Sequence, residues 1–123
     1  MHGDGGGETH EELETLLEDA FLLCDADAIA RLFEDGSLLV TGEGSRQVRG
    51  REAILHAASL LCHHGCGYLA DPRRVFQTRD TAMLIGEGVI NVARRGQDGS
   101  WRYAISVLGS YRADRGDEGA KNG

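Results

Sequence analysis

Two polar side chains fall where an apolar strand could put them to chemical use. In TAMLIGEGVINVARR, residues 81–95, Glu87 and Asn91 alternate onto one face with Ile85 and Val89. A carboxyl group set among apolar side chains can act as an acid or a base towards a bound molecule. The same segment has a second reading. Glycines at 86 and 88 favour a turn or a strong bend, which would leave Glu87 as a loop residue.

Other reactive residue types are less well placed. Cys62-His63-His64-Gly65-Cys66 holds zinc-ligand types, but on a helix over 51–64 His63 points away from the apolar stripe and His64 lies about 100° around from it. Gly65 breaks the helix between the two cysteines, so two ligands converge where zinc needs three or four. A helix end with buried thiols and exposed imidazoles is expected, and no metal. His56 and His63, seven apart, read as solvated. Ser106 and Ser110 share a strand face with Ala104 and Leu108 but have no nucleophile-elbow pattern around them. Such small residues make room for a ligand or for a helix. Gly42-Glu43-Gly44 lacks the Lys-Ser/Thr of a phosphate loop. No cofactor is expected.

The elements that must carry these residues are legible from periodicity. Thr9 and Glu12 form a capping box ahead of a helix whose stripe is Leu13, Leu16, Leu17, Ala20, Phe21 and Cys24. Asp25 caps a short second helix with Ile29, Leu32 and Phe33, and Gly36 is expected to stop it. Residues 37–41 and 47–49 read as a small hairpin. Arg51–His64 is a third helix, burying Ile54, Ala57, Ala58 and Leu61. From there the period is two. Residues 68–78 form a strand that Pro72 confines to an edge or a bulge, and 81–95 and 100–112 form the last strands, with Asp98-Gly99 as a hairpin turn. In the last strand Trp101, Tyr103, Ile105, Val107 and Tyr111 alternate against Ala104, Ser106 and Leu108. A strand apolar on both faces must be covered on both.

With 123 residues, the chain is expected to be one domain over 9–112, with loose Gly-rich and charged tails at 1–8 and 113–123. A net charge of −7 argues against nucleic acid or an anionic membrane as a partner. No apolar run approaches the roughly 20 residues of a membrane span. Residues 1–10 lack the basic and apolar parts of a signal peptide, and three cysteines cannot all pair within one chain, so a cytoplasmic location is expected.

The order of elements and three strings, DADAIARLFEDGSLLV (25–40), VRGREAI (48–54) and NVARRGQDGSWRYAI (91–105), resemble the nuclear transport factor 2-like (NTF2-like) superfamily, in its SnoaL-like and ketosteroid-isomerase-like branch. The resemblance implies an α+β cone in which a curved antiparallel sheet packs on three helices around a mostly apolar pocket. It also implies homodimers through the outer sheet face, here the face of Trp101, Tyr103, Ile105 and Val107. The isomerase machinery carries over poorly. Thr41 stands at the base position, Leu17 near the oxyanion tyrosine, and Asn91 at the protonated aspartate. Relatives usually have two strands joined by a turn between the positions of Thr81 and Arg95, so a shortened hairpin or one fused strand is implied.

The expected function is therefore small-molecule enzyme chemistry of the SnoaL-like type, acid–base work on an apolar, polyketide-like carbonyl compound. Asn91 would orient the substrate and Glu87, if buried, would move the proton. Helical and strand phases place Phe21, Phe33, Ser106 and Leu108 around the ligand. The alternatives are a non-catalytic binding module in the same cavity, or a dimeric assembly module with a filled pocket.

Overall fold

The computed structural model describes residues 6–41, 46–63 and 72–108. Its helices are α1 (His10–Leu22), α2 (Ala26–Arg31) and α3 (Arg51–His63). Its strands are β1 (Phe33–Thr41), β2 (Arg46–Arg49), β3 (Arg74–Gln77), β4 (Thr81–Gly86), β5 (Val89–Arg95) and β6 (Trp101–Leu108). They form one curved, open sheet in the order β2-β1-β6-β5-β4-β3. Four of the five strand pairings are antiparallel, but β1 runs parallel to β6. The sheet is thus mixed, where the sequence pattern suggested a purely antiparallel one. The helices cover its inner face, and their stripes join the sheet in a single apolar core.

Local chemistry sets the element ends. The Thr9 hydroxyl accepts from the Glu12 N–H at 3.0 Å, while the Glu12 carboxylate takes the N–H of Glu8 rather than of Thr9. Asp25 caps α2 through the Ala28 N–H at 3.1 Å. Helix α2 ends at Arg31, before Gly36, which instead lies within β1 at φ +80°. The segment 81–95 is a hairpin with a two-residue turn at Glu87-Gly88, and Gly88 takes φ +74°. The Asp98-Gly99 turn is fixed by the Asp98 carboxylate accepting the Ser100 N–H, a bond that lowers the Asp98 pKa. The chain joins the fold before Thr9. Gly7 exchanges both backbone hydrogen bonds with Trp101, and a Cβ at Gly7 would meet the Leu13 backbone at 2.7 Å. Residues 1–5, 42–45, 64–71 and 109–123, with the expected ends of α3 and of the strands at 68 and 112, lie outside the described residues.

Strand β6 does not keep one alternation. Val92 pairs with Ile105 but Ala93 pairs with Tyr103, so Ala104 is an extra residue, a β-bulge. The bulge reverses the side-chain phase within the strand. Trp101 and Tyr103 therefore point inward and are buried, with Tyr103 wholly inaccessible, against the expectation that they share the outer face with Ile105 and Val107. Ile105 stays outside, and Ser106 is buried. Strand β1 is irregular at the same level, between Phe33 and Leu38. Across this bulged region Arg94 of β5 reaches over β6 to Glu34 of β1 in a two-pronged ion pair. Glu34's hydrogen bonds and charge raise the Arg94 pKa above its ordinary value.

Helix α1 is held to the sheet mainly by Leu13 and Leu17, both essentially inaccessible. Leu17→Ala should cost about 2–5 kcal/mol of stability, the usual penalty for emptying a packed leucine site. Urea denaturation of the two proteins reads this directly, and a loss under about 1 kcal/mol would mean that the helix packs loosely.

Candidate functional site

The polar centre of the molecule starts on α1. His10, Leu13, Glu14, Leu17 and Phe21 recur at three- and four-residue spacing, so one helix face carries them all towards the sheet. Glu14 is thereby driven into the core, at 4% exposure. An unpaired buried carboxylate would be prohibitively costly. Two strands answer it. Tyr103 of β6 donates its hydroxyl to Glu14 Oε2 at 2.5 Å, the short range of a charge-assisted bond. Asn91 of β5 donates Nδ2 to the same oxygen at 3.2 Å. Ser106 of β6 then donates its hydroxyl to Asn91 Oδ1 at 2.5 Å, which fixes the amide's orientation. The pairs Asn91–Ser106 and Ala93–Tyr103 are direct register partners, so the Ala104 bulge is what puts Tyr103 and Ser106 on one face.

A cavity of about 240 Å³ opens beside this network. His10, Glu11, Glu14 and Thr15 of α1 line it, with Pro72, Val75 of β3 and Leu84 of β4. The His10 ring is buried, stands edge-on to Trp101 with centroids 5.7 Å apart, and bonds through Nε2 to Gln77 Oε1 at 3.0 Å. Its Nδ1 is buried and has no hydrogen-bond partner.

The residues singled out from the sequence divide sharply. Asn91 is interior, 1% exposed, and bonded as described. Ser106 is its partner. Glu87 sits on the β4–β5 turn, solvent-exposed, in an ion pair with Arg73 at 3.1 Å. The turn at Gly88 is the reason, and it removes Glu87 from the interior. Phe21 and Phe33 are core residues, and Phe33 lies tilted against Tyr103 at 5.4 Å. Leu108 packs against the core from the end of β6. None of these four apolar or hydroxyl side chains lines the cavity, which lies farther out, between α1 and the β3–β4 edge. Cys62 and His63 end α3, while His64, Gly65 and Cys66 lie outside the described residues. Glu14, His10 and Tyr103 were missed as site residues. The available signal was a carboxylate and an imidazole one turn apart inside an apolar helical stripe.

This architecture recurs in solved structures. A ketosteroid isomerase-like protein from Erwinia carotovora superposes with a TM-score of 0.65 at 19% identity, over 79% of this chain and 89% of that one. A proposed dehydratase of the NTF2-like family from Streptomyces avermitilis gives 0.61 at 22% identity, over 81% and 91%. A proposed calcium/calmodulin-dependent protein kinase type II association domain from Thiobacillus denitrificans gives 0.67 at 17% identity, over 83% and 94%. The chain has the NTF2-like fold. No protein-family model matches its sequence, and no curated protein matches it significantly. Likeness at these identities speaks for the NTF2-like scaffold alone, and the chemistry must be read from the site. No helix among the described residues is long and apolar enough to cross a membrane.

The Glu14–Tyr103 bond should be measurable as a coupling. Tyr103→Phe removes one donor from a buried carboxylate and should cost about 1–3 kcal/mol. In the Glu14→Gln background the same change should cost less, giving a coupling of at least about 0.5 kcal/mol in a urea double-mutant cycle. Strict additivity would show that the two side chains do not depend on each other.

Proposed function

We propose that this protein is a small-molecule enzyme doing acid–base chemistry at Glu14, of the SnoaL-like type, on a compact apolar carbonyl compound. One observation carries the reading: a buried carboxylate, oriented by two donors, lines a cavity of about 240 Å³. In this reaction Glu14 takes the proton from the carbon beside the carbonyl, the C–H electron pair passes to the carbonyl oxygen as an enolate, and the proton returns to that carbon as the carbonyl re-forms. Tyr103 and Asn91 hold the carboxylate in place, so no reorientation is needed as its charge changes. Val75, Leu84 and Pro72 seat the apolar body of the substrate. The same scaffold occurs in a ketosteroid isomerase-like protein and in a proposed dehydratase, so the fold is compatible with this class of chemistry. Asn91 keeps a role here, but as a positioning residue for Glu14. Glu14, and not Glu87, is the base.

The test needs no knowledge of the natural substrate. In D2O the protein should speed α-deuteration of some members of a panel of small cyclic ketones, amino-substituted and plain, followed by proton NMR. Glu14→Gln should lower that rate by at least about 100-fold, the usual contribution of a positioned base. Equal rates for the two proteins, or no acceleration for any ketone, would end the acid–base reading and leave a binding module.

A second reading concerns assembly, and a different surface favours it. Register places Phe76, Met83, Ile90, Ile105, Val107 and Val40 on the outer sheet face, and the first four are exposed. A continuous apolar face across five strands is unusual on a monomer. We infer a homodimer through this face, centred on Ile105 and Val107, without the buried Trp101 and Tyr103. Ile105→Glu should shift the protein to monomer in sedimentation at micromolar concentration. Sedimentation of the unchanged protein as a monomer would defeat the inference.

A further inference from the structure

The polar side chains that the described residues bring to the cavity are mostly acceptors. Glu11 and Glu14 bring carboxylates. Thr15 has spent its hydroxyl hydrogen on the Glu11 carbonyl at 3.2 Å, which leaves its oxygen lone pairs. His10 Nε2 faces the Gln77 carbonyl oxygen, so in the neutral ring Nε2 carries the hydrogen and Nδ1 carries the lone pair. That Nδ1 is the buried atom without a partner. It lies 3.7 Å from Glu11 Oε1, too far for a hydrogen bond between them and close enough for one donor group to bond to both. Among the described residues, no lysine or arginine lines the cavity. The opposite wall, Pro72, Val75 and Leu84, is apolar.

We propose that the cavity binds a protonated amine on a compact apolar body, with its ammonium group placed between His10 Nδ1 and the carboxylates of Glu11 and Glu14. An ammonium group has three donors and no acceptor. It supplies His10 Nδ1 with its missing bond and offsets the carboxylate charge. Among the described lining side chains, a carboxylate or phosphate ligand meets like charge and no cationic donor. The proposal rests on the cavity being the working site, and it narrows the substrate of that site to an amine-bearing carbonyl compound.

Three probes of one shape test it: cyclohexylamine (as the ammonium ion), cyclohexanol and cyclohexanecarboxylate. Each is titrated into the full chain and followed by amide NMR shifts. The ammonium should saturate, shifting Thr15, Val75 and Leu84. The alcohol should bind at least about tenfold more weakly, since bonds to charged groups are the stronger class. The carboxylate should not bind. Glu11→Gln, a change at an exposed side chain that should leave the fold intact, should weaken the ammonium about tenfold, and Glu14→Gln should do the same where it folds. Asp27→Asn on α2 should change nothing, which separates the site from the general attraction of an acidic protein. Equal binding of the carboxylate, unaltered ammonium binding in Glu11→Gln, or no binding by any probe would overturn the proposal. These probes have no exchangeable C–H beside a carbonyl, so their result is independent of the deuteration test. Amine binding without deuteration would leave a binding site and remove only the enzyme.

Discussion

The carboxylate of Glu14 under the sheet is the constraint from which the rest of the interior follows. Helix α1 cannot bury Leu13 and Leu17 without burying Glu14 as well, because all three lie on the same face. A carboxylate in that position needs donors. They come from the two strands next to one another in the middle of the sheet, β5 and β6. Asn91 is therefore not a free amide waiting for a ligand. Its Nδ2 serves Glu14 and its Oδ1 is held by Ser106.

Meeting that demand requires Tyr103 and Ser106 on one side of β6, and strict alternation would set them on opposite sides. The single extra residue, Ala104, resolves the conflict. A bulge leaves one residue without a ladder partner and gains a changed side-chain phase. Here the gain is concrete: one hydroxyl reaches Glu14 and the other reaches Asn91. The irregularity of β1 at the same level, with Gly36 at φ +80°, lets the neighbouring strand follow.

This explains why the fold was more legible than the site. Helices α1, α2 and α3 announce themselves by stripe and cap, and the Asp98-Gly99 turn by its dipeptide, since these are local properties. The inward phase of Ser106 also followed from alternation, and the interior place of Asn91 was implied by the family resemblance. The phase of Trp101 and Tyr103 did not, because a bulge depends on the partner strand and leaves no mark in WRYAISVL itself. Glu14 was hidden differently. A glutamate one residue after Leu13 looks like the polar edge of an amphipathic helix, and its burial is decided by Tyr103, 89 residues away in sequence. Glu87 was ambiguous for a local reason, and Gly88 settled it in favour of the turn.

The inner side of the sheet differs between its centre and its edge. On the inner side the centre is filled: Phe33 packs on Tyr103, and Leu17 and Phe21 are buried beside them. Thr41 pairs in register with Leu108 at the far end of β1, away from the β3–β4 edge. Among the described residues, a cavity lies at that edge, where β3 is four residues long and the β4–β5 turn is tight. The packed core around Tyr103 and the cavity at the β3–β4 edge thus lie in different parts of the fold. Glu14 belongs to both regions. Its Oε2 is held by the packed centre and the residue lines the cavity, so the interactions that keep the core satisfied also fix the position of a carboxylate at the cavity's edge.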